Sequence, residues 1–156
     1  MTKHLKRVTG DLLQLATDGK FDVIVHGCNC FNVMASGIAG QIAKLFPEVV
    51  VSDNLTVKGA NKVGTYNFTT VERNGRIFII CNAYTQYDFS RGEDVFEYDG
   101  FKNILRQLGS IDALKGKRFG FPLIGCGLAG GDENRVIELL EEFAIGNNAT
   151  LVEWDG

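Results

Sequence analysis

No run of basic residues occurs in this chain. Its 16 lysines and arginines stand against 19 aspartates and glutamates, a formal net charge of −3. An extended nucleic-acid backbone is therefore not expected as a partner. No apolar run is long enough to cross a bilayer, so no membrane partner is expected either. Nothing at the N-terminus reads as a secretory signal, and the four cysteines (Cys28, Cys30, Cys81 and Cys126) lie in apolar or loop contexts. They are read as reduced thiols of a cytoplasmic protein. Internal repeats, low-complexity tracts and linkers are absent, and the 156 residues are expected to form one domain, 1–156. Acidic metal-binding clusters are also missing, and no metal or other cofactor is expected. An apolar content of 45% and a charged content of 22% are ordinary for a globular chain and argue against disorder.

Two glycine-rich loops dominate what is present. The first runs from Cys28-Asn29-Cys30 through Asn32 and Ser36-Gly37-Ile38-Ala39-Gly40, the second is Gly125-Cys126-Gly127-Leu128-Ala129-Gly130-Gly131-Asp132. Each follows an apolar strand-like segment, Val23 to His26 and Phe119 to Ile124, and each opens into a helical pattern. Strand, glycine loop and helix N-terminus together hold phosphates: backbone N–H groups and the positive helix end face the anion, and glycine permits close approach. Two such loops suit a ligand with two phosphates, or one phosphate held from both sides. Neither contains Gly-Lys-Ser or Gly-Lys-Thr, which excludes the NTPase P-loop. Gly125-Cys126-Gly127-Leu128-Ala129-Gly130 has the Gly-x-Gly-x-x-Gly spacing, but neither loop is read as a dinucleotide fingerprint, for want of the ribose-binding acid that follows it in a βαβ unit.

Strand and helix signals alternate along the chain. Leu5 to Thr9 reads as a strand leading into a ligand-facing turn at Asp11-Leu12-Leu13-Gln14. Phe21 to Cys28 reads as a second strand. Gly37 to Phe46 has helical composition, and Pro47 is expected to end it. Asn74-Gly75 between Gly64–Val71 and Arg76–Ala83 signals a hairpin. Phe101, Ile104, Leu105 and Leu108 follow helical spacing, as do Val136, Leu139, Leu140 and Phe143. Ala149 to Trp154 reads as a last strand, and Gln86 to Glu97 as a polar loop, beside the site or simply solvated. The alternation predicts an α/β fold with a mixed sheet covered on both faces.

Gly10-Asp11-Leu12-Leu13, the Asn29-to-Gly40 loop and Gly125-to-Asp132, in that order over essentially the whole chain, resemble the macro domain, an ADP-ribose-binding family. The resemblance implies a three-layer α/β/α sandwich with a mixed, about six-stranded sheet. Its cleft would lie at the C-terminal ends of the central strands, where open α/β sheets bind ligands. The Cys28-Asn29-Cys30 form, with Gly37-Ile38-Ala39 and Leu45-Phe46-Pro47, is similar to two branches. One comprises the yeast-type phosphatases of ADP-ribose 1''-phosphate. The other comprises glycohydrolases that release ADP-ribose from protein carboxylates or DNA bases.

By this resemblance Asp11, with Leu12 beside it, would accept a hydrogen bond from the adenine amino group; otherwise it is a turn or cap aspartate. Asn29 and Asn32 would face the distal ribose, and Gly37 and Ile38 would offer backbone amides to phosphate, unless the loop only needs permissive residues. Gly125, Cys126, Gly127, Leu128, Ala129 and Gly130 would wrap the diphosphate; the alternative is a turn required for packing. Trp154 or Phe121 could stack on adenine or pack on the core, with Tyr84 and Phe89 as lesser candidates.

For chemistry, the resemblance implies that a glycohydrolase would carry a lysine after the second hairpin strand and an aspartate in the second loop. Here those places hold Asn82-Ala83-Tyr84-Thr85-Gln86-Tyr87 and Ala129, which disfavours that route. His26-Gly27-Cys28-Asn29-Cys30 is similar to the phosphatase branch. His26, titrating near neutral pH, and Asp132 are the catalytic candidates. The alternatives are a core histidine and a helix N-cap. A metal site at His26, Cys28 and Cys30 is disfavoured, because on a strand rising about 3.3 Å per residue the outer Cα atoms stand roughly 13 Å apart. Ligand atoms on one zinc lie within about 4.6 Å. Cys126 as a nucleophile lacks a visible base. The sequence reading is therefore hydrolysis of ADP-ribose 1''-phosphate, with a glycohydrolase or a non-catalytic reader module as alternatives and a small ADP-ribose derivative as the partner. Oligomeric state is not legible.

Overall fold

Asn74 and Gly75 adopt φ angles of 54° and 78°, the left-handed pair that closes a two-residue hairpin with the twist of its strands. They join β3 (Tyr66–Arg73) to β4 (Arg76–Gln86) in antiparallel register, Arg73 opposite Arg76 and Tyr66 opposite Ala83. Every other neighbouring pair is parallel. The computed structural model describes residues 4–29, 37–56, 62–86, 96–124 and 132–154. Within them lie β1 (Lys6–Thr9), α1 (Leu12–Thr17), β2 (Val23–Asn29), α2 (Gly37–Leu45) and α3 (Pro47–Asn54). After the hairpin come α4 (Tyr98–Ser110), β5 (Arg118–Phe121), α5 (Glu133–Ala144) and β6 (Asn148–Glu153). The strands form one mixed six-stranded sheet in the order β1-β6-β5-β2-β4-β3.

Alternation along the strands divides the core in two. Val23, Val25, Cys81, Ala83, Phe119, Phe121 and Leu151 face α4 and α5, against Phe101, Ile104, Leu105, Val136, Leu140 and Phe143. Phe143 meets Phe119 and Phe121 edge-on, with ring centres 5.2 and 5.5 Å apart. Ile24, Ile80, Phe78, Val71 and Val152 face the other way, against Leu12, Leu13 and Ala16 of α1, Ile42 of α2 and Val49 of α3. Helices thus cover both faces, the α/β/α sandwich expected from the alternating pattern.

Two elements differ from the sequence reading. The segment after Asp11 is a helix rather than a turn. Its first orphan amides, Leu13 N–H and Gln14 N–H, donate to Asp11 Oδ1 at 3.0 and 3.2 Å. Pro47 ends α2 and also begins α3, sitting at its first turn, where proline's fixed φ suits the helix and a missing N–H costs nothing. Strand boundaries also move: β4 continues to Gln86, which bridges to Phe96, and β5 stops at Phe121. Among the described residues no helix is long and apolar enough to cross a membrane.

Candidate functional site

Parallel pairing brings the C-terminal ends of β1, β6, β5, β2 and β4 to one edge of the sheet. The chain leaves β2, forms β3 and β4 on one side of it, then crosses to place β5 on the other. That reversal of direction is a topological switch point, where open α/β sheets leave a crevice. In the chain, residues 30–36 come after β2 and residues 125–131 after β5. Cys30, Asn32, Gly125, Cys126, Gly127, Leu128, Ala129, Gly130 and Phe89 lie outside the described residues. The backbone of Asn29 is the last residue of β2 and that of Gly37 the first of α2. Ile38 is half-buried against the α1–α3 face.

On one side of the edge, Thr9 lies opposite Glu153, and Gly10 N–H donates to Glu153 carbonyl at 2.8 Å. Asp11 and Trp154 thus leave adjacent strand ends. Asp11 caps α1 through Oδ1 alone, and no hydrogen bond among the described residues engages Oδ2. Leu12 is buried in the core, so at this position only its backbone could serve a ligand. Trp154 is 62% exposed. Phe121 and Tyr84 are not available as stacking surfaces: they are 0% and 1% exposed, Phe121 inside the aromatic cluster with Phe143.

On the other side, Asp132 caps α5. Its Oδ1 accepts from Asn134 N–H at 2.8 Å and Arg135 N–H at 3.3 Å. Its own N–H donates to Tyr98 Oη at 2.8 Å, and the Arg135 guanidinium lies 3.6 Å from the Tyr98 ring centre. The alternative weighed from sequence, capping, is therefore realised, and Oδ2 again makes no hydrogen bond among the described residues. Its backbone position ties the start of α5 to the start of α4 at the strand-end edge.

His26 corrects an expectation. It is 1% exposed, on the α1–α3 face beside Asn82, with Nε2 2.5 Å from Asn82 Oδ1. Burial pushes its pKa down to about 4, against which the Asn82 bond acts only in part. A ring expected to titrate near neutrality is instead neutral there. With Nε2–H donating to Asn82, Nδ1 is left as an acceptor 3.8 Å from Cys28 Sγ. His26 and Cys28 are neighbours on one face, as strand alternation requires. No group of three or more histidine, cysteine, aspartate or glutamate side chains that could hold a metal occurs among the described residues.

Just beyond His26 the ladder breaks. Cys28 pairs with Tyr84 but Asn29 with Gln86, so Thr85 is an extra residue on β4. Such bulges re-aim strand ends next to sites. Thr85 is fully buried, and its hydroxyl has no hydrogen-bond partner among the described residues. It is accommodated because Gly27 has no side chain: a Cβ there would come within 2.8 Å of Thr85 Oγ1 and 3.0 Å of Ile124 Cγ2.

The sequence reading did not find Asp53 and Lys62. Both are buried near this break, with Tyr84 Oη donating to Asp53 Oδ1 at 2.6 Å and Lys62 Nζ 4.0 Å from the Tyr84 ring centre. Asp53 lies in the last turn of α3 and Lys62 in the stretch between α3 and β3, where nothing local marks a charge as buried; only the packing of α3 on the sheet does.

Residues 25–140 match the family model described as Macro domain. The chain belongs to the macro domain family. An uncharacterised 17.5 kDa protein from the tk-vs intergenic region of Enterobacteria phage T4 is 31% identical over 156 residues, covering 97% of each chain. Among solved structures, a protein from Bacteroides thetaiotaomicron superposes with a TM-score of 0.78 at 20% identity, over 96% of this chain and 99% of that one. Thermosipho africanus DarTG, solved in complex with ADP-ribose, superposes with a TM-score of 0.71 at 17% identity, over 95% of this chain and 41% of that one. At these identities the two likenesses show a shared fold alone.

Proposed function

We propose that this macro domain binds ADP-ribose at the strand-end edge and hydrolyses the phosphate of ADP-ribose 1''-phosphate, as the yeast-type branch does. The observation that carries the binding reading is the position of Asp11. Its carboxylate serves α1 through one oxygen and keeps the other for a donor such as the adenine amino group, next to an exposed indole on the adjacent strand end. The diphosphate and distal ribose would then extend along the edge toward β2 and β5. There the glycine loops, with Asn29, Asn32, Gly37, Ile38 and residues 125–130, follow their strands. The complex of Thermosipho DarTG with ADP-ribose supports the same ligand class.

For the chemical step, Asp132 is the carboxylate at the end of the second loop and would activate water with Oδ2 while Oδ1 holds the helix. His26, neutral and hydrogen-bonded, would support the end of β2 rather than exchange a proton. That neutral ring equally favours a second reading, a reader module that binds ADP-ribose without turnover. The missing lysine between Asn82 and Tyr87 and the alanine at 129 speak against glycohydrolysis. Phosphate release from ADP-ribose 1''-phosphate, with ADP-ribosylated protein and DNA as parallel substrates and plain ADP-ribose as binding control, separates these. Binding without any release would leave the reader module. Asp132→Asn should keep the cap, since asparagine caps as well as aspartate. It should lower phosphate release by about 10²-fold, the effect of losing a positioned base. An unchanged rate would remove Asp132 from the chemistry.

A further inference from the structure

Lys62 is 6% exposed and Asp53 1%, a burial that charged side chains almost never reach unless paired. Lys62 Nζ stands 3.9 Å from Asp53 Oδ1, the same oxygen that accepts from Tyr84 Oη at 2.6 Å. The ammonium also lies 4.0 Å from the centre of the Tyr84 ring, and Thr56 Oγ1 is 3.5 Å from the phenol oxygen. The backbone of Tyr84 is held as tightly: its N–H donates to Thr65 carbonyl at 3.0 Å, and its carbonyl accepts from Gly64 N–H at 2.9 Å. Across the ladder Tyr84 is paired with Cys28, and the two pack together with Val63.

Burying an ion pair here is a poor way to gain stability. Desolvation offsets most of the Coulomb attraction, and apolar side chains of the same volume often serve as well or better. What charge and directed hydrogen bonds supply is a fixed geometry. Tyr84 and Cys28 are the last paired residues before the bulge, so whatever fixes Tyr84 fixes where the ladder breaks and how the ends of β2 and β4 are aimed.

We propose that Asp53, Lys62 and Tyr84 form a clamp that sets the position of the β2 and β4 ends, making Lys62 and Asp53 positioning residues for the ligand site. The clamp links α3 and the turn before β3 to the strand pair at the switch point. Its bearing on ligand rests on the ADP-ribose reading above, whereas its hold on the strand ends does not.

The decisive variant is Lys62→Met/Asp53→Asn, which removes both charges and keeps an acceptor for Tyr84. Either single change removes one charge of the buried pair and should lower Tm; the double variant should recover most of that loss. ADP-ribose affinity should not recover with it: Kd should remain about tenfold above wild type, a change of one decade in binding. Amide exchange at Gly64 and Tyr84 should quicken about tenfold in the double variant, while Ile79, whose N–H donates to Asp22 carbonyl at the far end of β4, keeps its wild-type rate. Tyr84→Phe, which deletes one oxygen, reads the same two quantities should the double variant not fold. Wild-type exchange at Gly64 and Tyr84 in a folded variant would overturn the clamp. Faster exchange with unchanged affinity would overturn its role in the site. A wild-type protein that binds no ADP-ribose would defeat the ligand reading alone, and exchange would then decide the clamp.

Discussion

On the proposed function Asp11 would carry two duties on separate oxygens, capping α1 and accepting from adenine, and substitution separates them. Asp11→Asn retains Oδ1 for Leu13 and Gln14 but puts an N–H₂ donor where adenine's own donor would come. ADP-ribose affinity should fall by about 1.5–3 kcal/mol, the worth of a hydrogen bond to a charged group, with Tm little changed. Equal affinities by calorimetry would remove Asp11 from the site. His26 is the second residue whose setting has a measurable consequence. The folded ring takes up its proton only near pH 4, whereas the unfolded chain takes it up near 6.5. Between those values the unfolded state holds more protons, so stability from this group is complete above pH 6.5 and is lost as pH falls toward 4. The loss amounts to about 3 kcal/mol. Urea unfolding at pH 7 and pH 4.5 should show a larger drop in wild type than in His26→Gln; equal drops would contradict a buried neutral ring. The sequence placed His26 at the end of a buried strand. Its titration was not legible there, because Asn82, which completes its burial, stands 56 residues away.

The elements were most legible where a local signal had one meaning. Asn74-Gly75 marked its turn, and the apolar spacing of α4 and α5 marked their buried faces, since Phe101, Ile104, Leu105 and Leu108 all face the core. Pro47 had two meanings, a stop for α2 and a start for α3, and the β-branched Val49-Val50-Val51 that follows carries little helix propensity of its own. Packing of Val49 onto the sheet decides in favour of helix. The bulge at Thr85 had no sequence signal, since it depends on which residue of β4 meets Asn29. Its requirement for a bare Gly27 is open to test. Gly27→Ala forces a methyl group against Thr85 Oγ1 and Ile124 Cγ2, and overpacking of this kind costs about 1–3 kcal/mol. Thr85→Ala should relieve part of that cost, so the double variant should be more stable than the sum of the singles. Strict additivity in urea unfolding would show that Gly27 and Thr85 do not compete for space.

For the whole molecule, parallel pairing around β2 collects five strand ends at one edge and reverses the chain direction beside them, and the proposed ligand site rests on that arrangement. The family and its layered fold could be read from the order of the Gly-Asp turn, the two glycine loops and the hairpin. The buried charges under the site could not, because Asp53 and Lys62 meet Tyr84 only after α3 has packed on the sheet. The proposed function places ADP-ribose at the edge that carries Asp11 and Trp154. Titration of wild-type protein with ADP-ribose, followed by calorimetry and by Trp154 fluorescence, measures it directly, since this is the only tryptophan in the chain. The expected result is saturable one-to-one binding in the micromolar range, about −8 kcal/mol or a little weaker, with the indole emission changing in step. No heat and no change in emission up to about 1 mM ligand, the −4 kcal/mol level, would contradict it.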